Sequence, residues 1–377
     1  MKKISDILTI TLFCGFIAVF ALLFLFLPDK TFSETENRAL APKPTLTAEN
    51  LFSGDFAAET NEYFADGFPC RDSFLKIKSA FELSLLKGEN NGVLYEKDQL
   101  AVRSFDAYGS KLKKAADSDW YYENTVKASL QNVNSLAEKL DVPVLTFIPP
   151  RTVDVCEDDF GYKLPYGESF YKLCEETLSE KANFINILPA LKEKHQSGEY
   201  VVYKTDHHYT SLGAYYSYLA IAEKLGIDEK FDVSSAKTTL IEDFSGTTAS
   251  RGSFPIYEKD FITLYGENDY KVIADGEEQD FFDMEKAASH DKYSVFLGGT
   301  HGVTEIFGGN NKKLLVVKDS FADSLAQFLI KDCDIIMLDL KTNPDVSAAV
   351  EKYKPDAVLI VYNAENVMTS SALGNLK

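Results

Sequence analysis

Val201 to Gly213 reads V-V-Y-K-T-D-H-H-Y-T-S-L-G and sets an aspartate beside two of the chain's five histidines, just before a helix begins. In extended backbone, side chains two positions apart leave the same face, so Asp206 can orient the His208 imidazole while His207 points the opposite way. From Ser211 the spacing turns helical, with Leu212, Tyr215, Tyr216, Leu219 and Ala222 on one side. Thr210 or Ser211 can cap the start of this helix, and Gly226 can end it. The Asp-His pair therefore occupies a strand-to-helix junction, the kind of edge at which α/β sheets carry chemistry.

Downstream, Leu314 to Val317 is apolar and partly β-branched, Phe321 to Ile330 is amphipathic, and Asp334 to Leu340 is mainly apolar again. Val346 to Tyr353 then reads as a helix and Ala357 to Tyr362 as a last apolar strand. Alternation of this kind predicts an α/β fold wound on a parallel sheet with right-handed crossovers. Ser320 falls between the first of these strands and its helix. Its hydroxyl then lies at the carboxyl edge of the sheet, and its amide at a helix amino terminus, where partial positive charge can stabilise an oxyanion. Asp206, His208 and Ser320 thus supply an orienter, a base and a nucleophile, all on sheet-edge turns. The plain alternative is that Ser320, or Asp319 beside it, merely caps the helix.

Upstream, Asn124 to Leu140 is an amphipathic helix feeding a strand at Val142 to Ile148, which Pro149 and Pro150 halt. Phe170 to Ala182 reads as a helix, Asn183 to Leu188 as a strand and Leu191 to Ser197 as a short helix. Leu51 to Leu86 carries aromatic and apolar residues at helical spacing, broken at Gly67-Phe68-Pro69, so two helices are expected. A short strand at Gly92 to Tyr95 and a turn at Glu96 to Asp98 follow. Residues 240–310 are less regular, with a hairpin expected from Tyr293–Leu297 and Val303–Phe307 around Gly298 to Gly302.

Ile7 to Leu27 is an uncharged apolar run of 21 residues, preceded by Lys2 and Lys3 and ended by Pro28-Asp29-Lys30. That length spans a bilayer, and the lysines favour a cytoplasmic amino terminus. With no small-x-small cleavage site after Leu27, the segment reads as an uncleaved single-pass anchor in the cell membrane, the rest being extracytoplasmic. The expected organisation is an anchor at 1–28, a linker at 29–50 with Pro42 and Pro44, and an α/β domain at 51–377 whose first part, 51–90, is a helical extension. A content of 45% apolar and 13% aromatic residues supplies a core for such a domain. A formal charge of -19 without any basic block argues against a nucleic-acid partner. Cys14, Cys70, Cys156, Cys174 and Cys333 lack paired metal or redox spacing; a Cys156–Cys174 bridge and reduced buried thiols both remain open.

Other residues compete for roles. His207 and His301 are alternative bases, but His301 has no carboxylate two positions away. The Gly298-Gly299-Thr300 turn can offer amides or a hydroxyl to an oxyanion, or be a plain turn. Arg251 can meet a substrate anion or a surface carboxylate, and aromatic side chains can line a sugar groove or fill core. A metal reading of Asp206 and His208 lacks an obvious third ligand, so no metal and no cofactor are expected.

The segment Thr205-Asp206-His207-His208-Tyr209-Thr210-Ser211-Leu212-Gly213-Ala214-Tyr215, with Lys318-Asp319-Ser320-Phe321-Ala322 downstream, resembles the DHHW family of membrane-anchored extracytoplasmic proteins. That family is similar in turn to the SGNH hydrolase-like domains of alginate O-acetyltransferases. The flanks agree: Phe32-Ser33-Glu34 with Glu36-Asn37-Arg38, Asp66-Gly67-Phe68-Pro69 with Arg71-Asp72, Phe296-Leu297-Gly298-Gly299, and Pro355-Asp356-Ala357-Val358-Leu359. The resemblance implies a three-layer SGNH-like sheet, circularly permuted so that Asp206 and His208 precede Ser320. It implies an O-acetyltransferase that receives acetyl groups from a membrane-bound O-acyltransferase and places them on a polysaccharide. An esterase with the same triad, or a non-catalytic glycan-binding scaffold, are the alternatives. Tyr209 stands where the family name calls for Trp, and as an aromatic it is expected beside the substrate.

Overall fold

The computed structural model describes residues 2–33, 38–96, 99–103, 126–160, 167–370 and 372–376. Residues 97–98 of the turn expected at Glu96 to Asp98, the first residues of the helix expected from Asn124, and the Glu34 to Asn37 part of the amino-terminal motif lie outside them. The chain divides into two units, one of Met1–Lys87 with Ser253–Pro255, the other of Gly88–Gly252 with Ile256–Lys377.

In the first unit, α1 (Lys2–Phe26) contains a stretch of 24 residues, Lys3–Phe26, long and apolar enough to cross a membrane. Residues 29–50, expected as an irregular linker, include a two-residue ladder of Phe32–Ser33 with Arg38–Ala39. A short helix at Ala48–Ser53 follows, opened by reciprocal capping between Thr47 and Asn50. Then come α2 (Asp55–Asp66) and α3 (Arg71–Ser84). The sequence predicts one helix where the short helix and α2 stand. They are separate because Gly54 takes a φ of 87°, a left-handed turn that glycine adopts without steric cost. Aromatic positions of this helical region meet α1: Phe68 stacks on Phe20 at 5.3 Å between ring centroids, and Tyr63 meets Phe24 edge-on at 5.5 Å.

The second unit is built on one eight-stranded sheet. In chain order its elements include α4 (Lys127–Lys139), β1 (Val144–Phe147), β2 (Phe184–Ile185), α5 (Ser211–Lys224), β3 (Lys271–Ala274), β4 (Glu277–Gln279) and β5 (Val303–Phe307). They continue with β6 (Lys313–Lys318), α6 (Phe321–Leu329), β7 (Asp334–Asp339) and β8 (Ala357–Val361). The strand order is β4-β3-β5-β7-β6-β8-β1-β2. The runs read as apolar strands form the parallel part: every residue of β8 and β1 is buried, as is β6 after Lys313. Such strands are covered on both faces.

The sheet is mixed rather than wholly parallel. β7, β6, β8, β1 and β2 run parallel, whereas β5, β3 and β4 extend the sheet antiparallel. The hairpin expected between Tyr293–Leu297 and Val303–Phe307 does not form. Lys292–Val295 is a turn of 3-10 helix, and Val303–Phe307 pairs with β3 and β7 instead. Tyr293, Val295, Phe296 and Leu297 are all buried, so this segment lacks the in-out alternation of a half-exposed strand. The five cysteines are unpaired.

At the carboxyl edge of the parallel strands, Lys318, Val361 and Phe147 end β6, β8 and β1 in register. Asp319 N–H donates to Val361 O and Tyr362 N–H to Phe147 O, so the loops that leave these strands start side by side.

Candidate active site

The Val201–Gly213 stretch folds back on itself rather than running extended. Val202 bridges Tyr209, Tyr203 N–H donates to His208 O at 3.3 Å, and Thr210 N–H donates to Val201 O at 3.0 Å. A buried carboxylate pins the tip: Asp260 accepts from Lys204 N–H at 2.9 Å, from Thr205 N–H at 2.7 Å, and from the Thr205 and Tyr200 hydroxyls. Thr210 then caps α5 by accepting from Gly213 N–H. Gly213 lets the loop close on the helix, since a Cβ there would stand 2.1 Å from Val201 O.

Asp206 and His208 meet through this turn, not through the shared face of a strand. Asp206 Oδ1 accepts from His208 N–H at 3.0 Å and lies 2.6 Å from His208 Nδ1. Its other oxygen accepts from Thr247 N–H at 2.8 Å and from the Thr247 hydroxyl at 3.0 Å. Burial by itself raises a carboxyl pKa, but His207, His208 and the Thr247 amide outweigh it and hold Asp206 well below the ordinary carboxylate range. The Asp206 carboxylate thereby selects the tautomer with hydrogen on Nδ1, which leaves the Nε2 lone pair of His208 free to accept. The His208 ring stacks on Tyr293 at 3.8 Å and 8°.

That lone pair faces Ser320, whose Oγ lies 2.8 Å from His208 Nε2 across 112 positions of sequence. Ser320 does not cap α6. Asp319 takes that role, accepting from Phe321 N–H at 3.0 Å, while its second oxygen accepts from Asn363 N–H and Asn366 Nδ2 at 2.7 and 2.8 Å. Relieved of capping, the Ser320 hydroxyl can donate to His208. Its own amide makes no hydrogen bond among the described residues and sits at the amino terminus of α6, where it can meet developing negative charge. Beneath the turn, Lys318 Nζ pairs with Asp323 at 2.6 Å, both almost wholly buried.

Of the other residues singled out from sequence, Tyr209 and His207 flank the triad, while Arg251 and the Gly298-Gly299-Thr300 turn hydrogen-bond to other segments. Tyr209, expected beside the substrate, is 1% exposed, and its hydroxyl donates to Phe321 O at 2.7 Å, buttressing the turn from behind. Arg251 Nε donates to Asn91 O at 3.2 Å. Gly298, Gly299 and Thr300 belong to a turn tied elsewhere: Gln279 Nε2 donates to Leu297 O, and Gly299 N–H to Phe296 O. That turn leads into β5, which β7 separates from β6. His301 sits by Leu297 O and, at 3.5 Å, by Asp275. His207 does not diverge; its ring lies 3.9 Å from that of His208, and Nδ1 is 2.7 Å from Thr247 Oγ1. Burial and the neighbouring His208 push its pKa down.

Asp206, His207 and His208 bring ligand-type atoms within 4.8 Å of one another. The 2.6 Å between Asp206 Oδ1 and His208 Nδ1 is a direct hydrogen-bond distance. Ligand atoms at about 2.1 Å around a tetrahedral zinc stand roughly 3.4 Å apart. Sequence reasoning missed Thr247, which fastens Asp206, and Tyr293, which supports the imidazole; neither carries a local signal. Together the three central residues can deprotonate a hydroxyl, hold the resulting imidazolium beside a carboxylate and present an amide to an oxyanion.

The family model described as DHHW protein matches residues 121–338, more than half of the chain. The chain belongs to the DHHW family. A DHHW family protein from Eubacterium siraeum is 21% identical, with a TM-score of 0.58 over 76% of this chain and 96% of that one. Bacillus cereus PatB1, in a structure with a sulfonyl adduct, is 18% identical, with a TM-score of 0.60 over 76% of this chain and 98% of that one. The O-acetyltransferase domain of Pseudomonas putida AlgJ gives 14% identity and a TM-score of 0.46 over 74% of this chain and 93% of that one. A comparison with curated protein sequences gives no match. At these identities the first two likenesses show a shared α/β fold.

Proposed function

We propose that this DHHW family member is a serine-dependent acyl-transfer enzyme, an O-acetyltransferase acting on a cell-envelope or exported polysaccharide. The observation that carries the reading is one continuous relay: Asp206 to His208 Nδ1 at 2.6 Å and His208 Nε2 to Ser320 Oγ at 2.8 Å. In it, Ser320 Oγ attacks the carbonyl carbon of an acyl ester as its proton passes to His208 Nε2, and Asp206 stabilises the imidazolium. The Ser320 amide takes the oxyanion. Collapse breaks the bond to the donor oxygen, which leaves with the proton from His208, and the acyl group stays on Ser320. An acceptor hydroxyl then gives its proton to His208, attacks the acyl carbon and departs as the ester, restoring Ser320. The same steps with water in place of the sugar hydroxyl make an esterase.

The chain order of Asp206, His208 and Ser320 fits a circularly permuted SGNH-like sheet of three layers. The PatB1 structure of the same fold carries a sulfonyl adduct, and we read Ser320 as the group such an electrophile would meet here. We assign Lys3–Phe26 as the membrane anchor that holds the site outside the cytoplasm, beside a membrane-bound O-acyltransferase as donor. The test is a fluorophosphonate probe on the full chain in detergent, with acetyl-enzyme from p-nitrophenyl acetate followed by mass spectrometry. Ser320 is expected to take both labels, and Ser320→Ala and His208→Ala to take neither. Wild-type protein that folds and takes neither sinks the proposal.

A further inference from the structure

Glu365 is 9% exposed, and its Oε1 is buried with no hydrogen-bond partner among the described residues. Burying a carboxylate oxygen without a donor is unfavourable, so a position of this kind points to a donor that arrives with a ligand. Oε1 belongs to a side chain that lines a small cavity of about 10 Å³, with Arg151, Thr152, His207 and Asn363 on its other sides. That is space for one hydroxyl-sized group.

The walls tie this cavity to the serine site. The His207 ring lies 3.9 Å from that of His208. Asn363 N–H donates to Asp319, the residue before Ser320, at 2.7 Å, and Asn363 Oδ1 accepts from Glu365 N–H at 2.9 Å. Thr152 Oγ–H points to His207 O at 3.3 Å. Charge narrows the ligand. An anion would meet the Glu365 carboxylate. A cation would meet the Arg151 guanidinium, which burial works against but which Asp154, with Glu365 further away, keeps charged. A neutral O–H donor suits both walls.

We propose that this cavity is the acceptor subsite of the acyl-serine reaction, in which Glu365 Oε1 accepts from one hydroxyl of a neutral polyhydroxylated acceptor while another reaches His208. The inference rests on the acyl-transfer reading above, and the experiment separates the two. The full chain is given p-nitrophenyl acetate with glycerol or methyl β-glucoside as acceptor. Acetylated acceptor is quantified per Ser320 labelled by fluorophosphonate, which removes any misfolded fraction from the comparison. Glu365→Ala is expected to raise KM for the acceptor at least tenfold with a smaller change in kcat. Glu365→Gln keeps the shape and one carbonyl oxygen, should raise it three- to tenfold, and decides the matter alone if the alanine variant does not fold. An acceptor KM within twofold of wild type in the glutamine variant overturns the subsite. So does a wild-type enzyme that is labelled at Ser320 yet acetylates neither probe, an outcome that leaves the serine chemistry standing. Failure of wild type to label overturns the acyl-transfer reading itself.

Discussion

A Cβ on Gly246 would stand 2.3 Å from Asp206 Oδ2 and 2.3 Å from Asp206 Cβ, so Gly246 is in contact with the carboxylate that orients His208. Its N–H donates to Thr205 Oγ1 at 3.0 Å, which fixes that contact. Gly246→Ala must therefore displace Asp206. Overpacking of this kind costs about 1–3 kcal/mol, and misplacing a reacting group by about 1 Å costs about a hundredfold in rate. Urea unfolding and the rate of p-nitrophenyl acetate turnover measure the two effects. Unchanged turnover would show that Asp206 placement is unimportant.

Asp206→Asn keeps the shape of the side chain but replaces an oxygen with an amide, so His208 Nδ1 loses its carboxylate and with it the tautomer that leaves Nε2 accepting. By analogy with other serine triads, kcat should fall about 10³- to 10⁴-fold with little change in KM. A fall of less than about tenfold would remove Asp206 from the relay.

Asp206 also predicts an acid limb. Its folded pKa is depressed, so the stability it contributes is fully present above the unfolded value, about 3.9, and is lost as pH falls below it towards the folded pKa. In Asp206→Asn the loss of stability below about pH 4 should be shallower than in wild type, as followed by urea unfolding.

Asp323 works in the opposite direction. Burial raises its carboxyl to about 6, against the lowering effect of Lys318. For a raised pKa the contribution is fully present below the unfolded value, about 3.9, and is lost as pH rises through about 6, a change on the order of 3 kcal/mol. Asp323→Asn should remove this slope between pH 4 and 6. The variant will be less stable overall, because Lys318 Nζ loses a partner at 2.6 Å. An identical slope in the variant would contradict the assignment.

Tyr209→Phe deletes the hydroxyl that donates to Phe321 O. One buried neutral hydrogen bond accounts for about 1 kcal/mol, so the midpoint of unfolding should drop modestly. Acceptor KM should stay within twofold, because the ring is buried behind the serine turn. A large rise in KM would restore Tyr209 to a role at the substrate.

Much of the fold was legible because the parallel strands are buried on both faces and leave near-continuous apolar runs, as at Leu314–Val317 and Ala357–Val361. Of their antiparallel neighbours, Val303–Phe307 was legible as a strand, but the two beyond it left no such trace. Lys271–Ala274 and Glu277–Gln279 lie at the open side of the sheet, where exposure permits polar residues. Strand direction is a property of connections, not of periodicity. Leu51 to Asp66 was misread for a related reason: helical spacing continues across Gly54, and only its positive φ breaks the helix.

Within the site, the Asp206–His208 contact was determined by sequence because it closes over two residues and needs only a local turn, although the turn is tighter than an extended strand. Which residue caps α6, what stacks on His208 and where Tyr209 points were decided by tertiary structure. Asp319 could take over the capping because Asn363 and Asn366 arrive from the end of β8 to hold its other oxygen. Tyr293 and Thr247 reach the imidazole and its carboxylate from elements far away in the chain. The meeting of Ser320 with His208 across 112 residues is of the same kind. Nothing in either segment encodes their distance, which is set by packing the Val201–Gly213 loop against the end of β6.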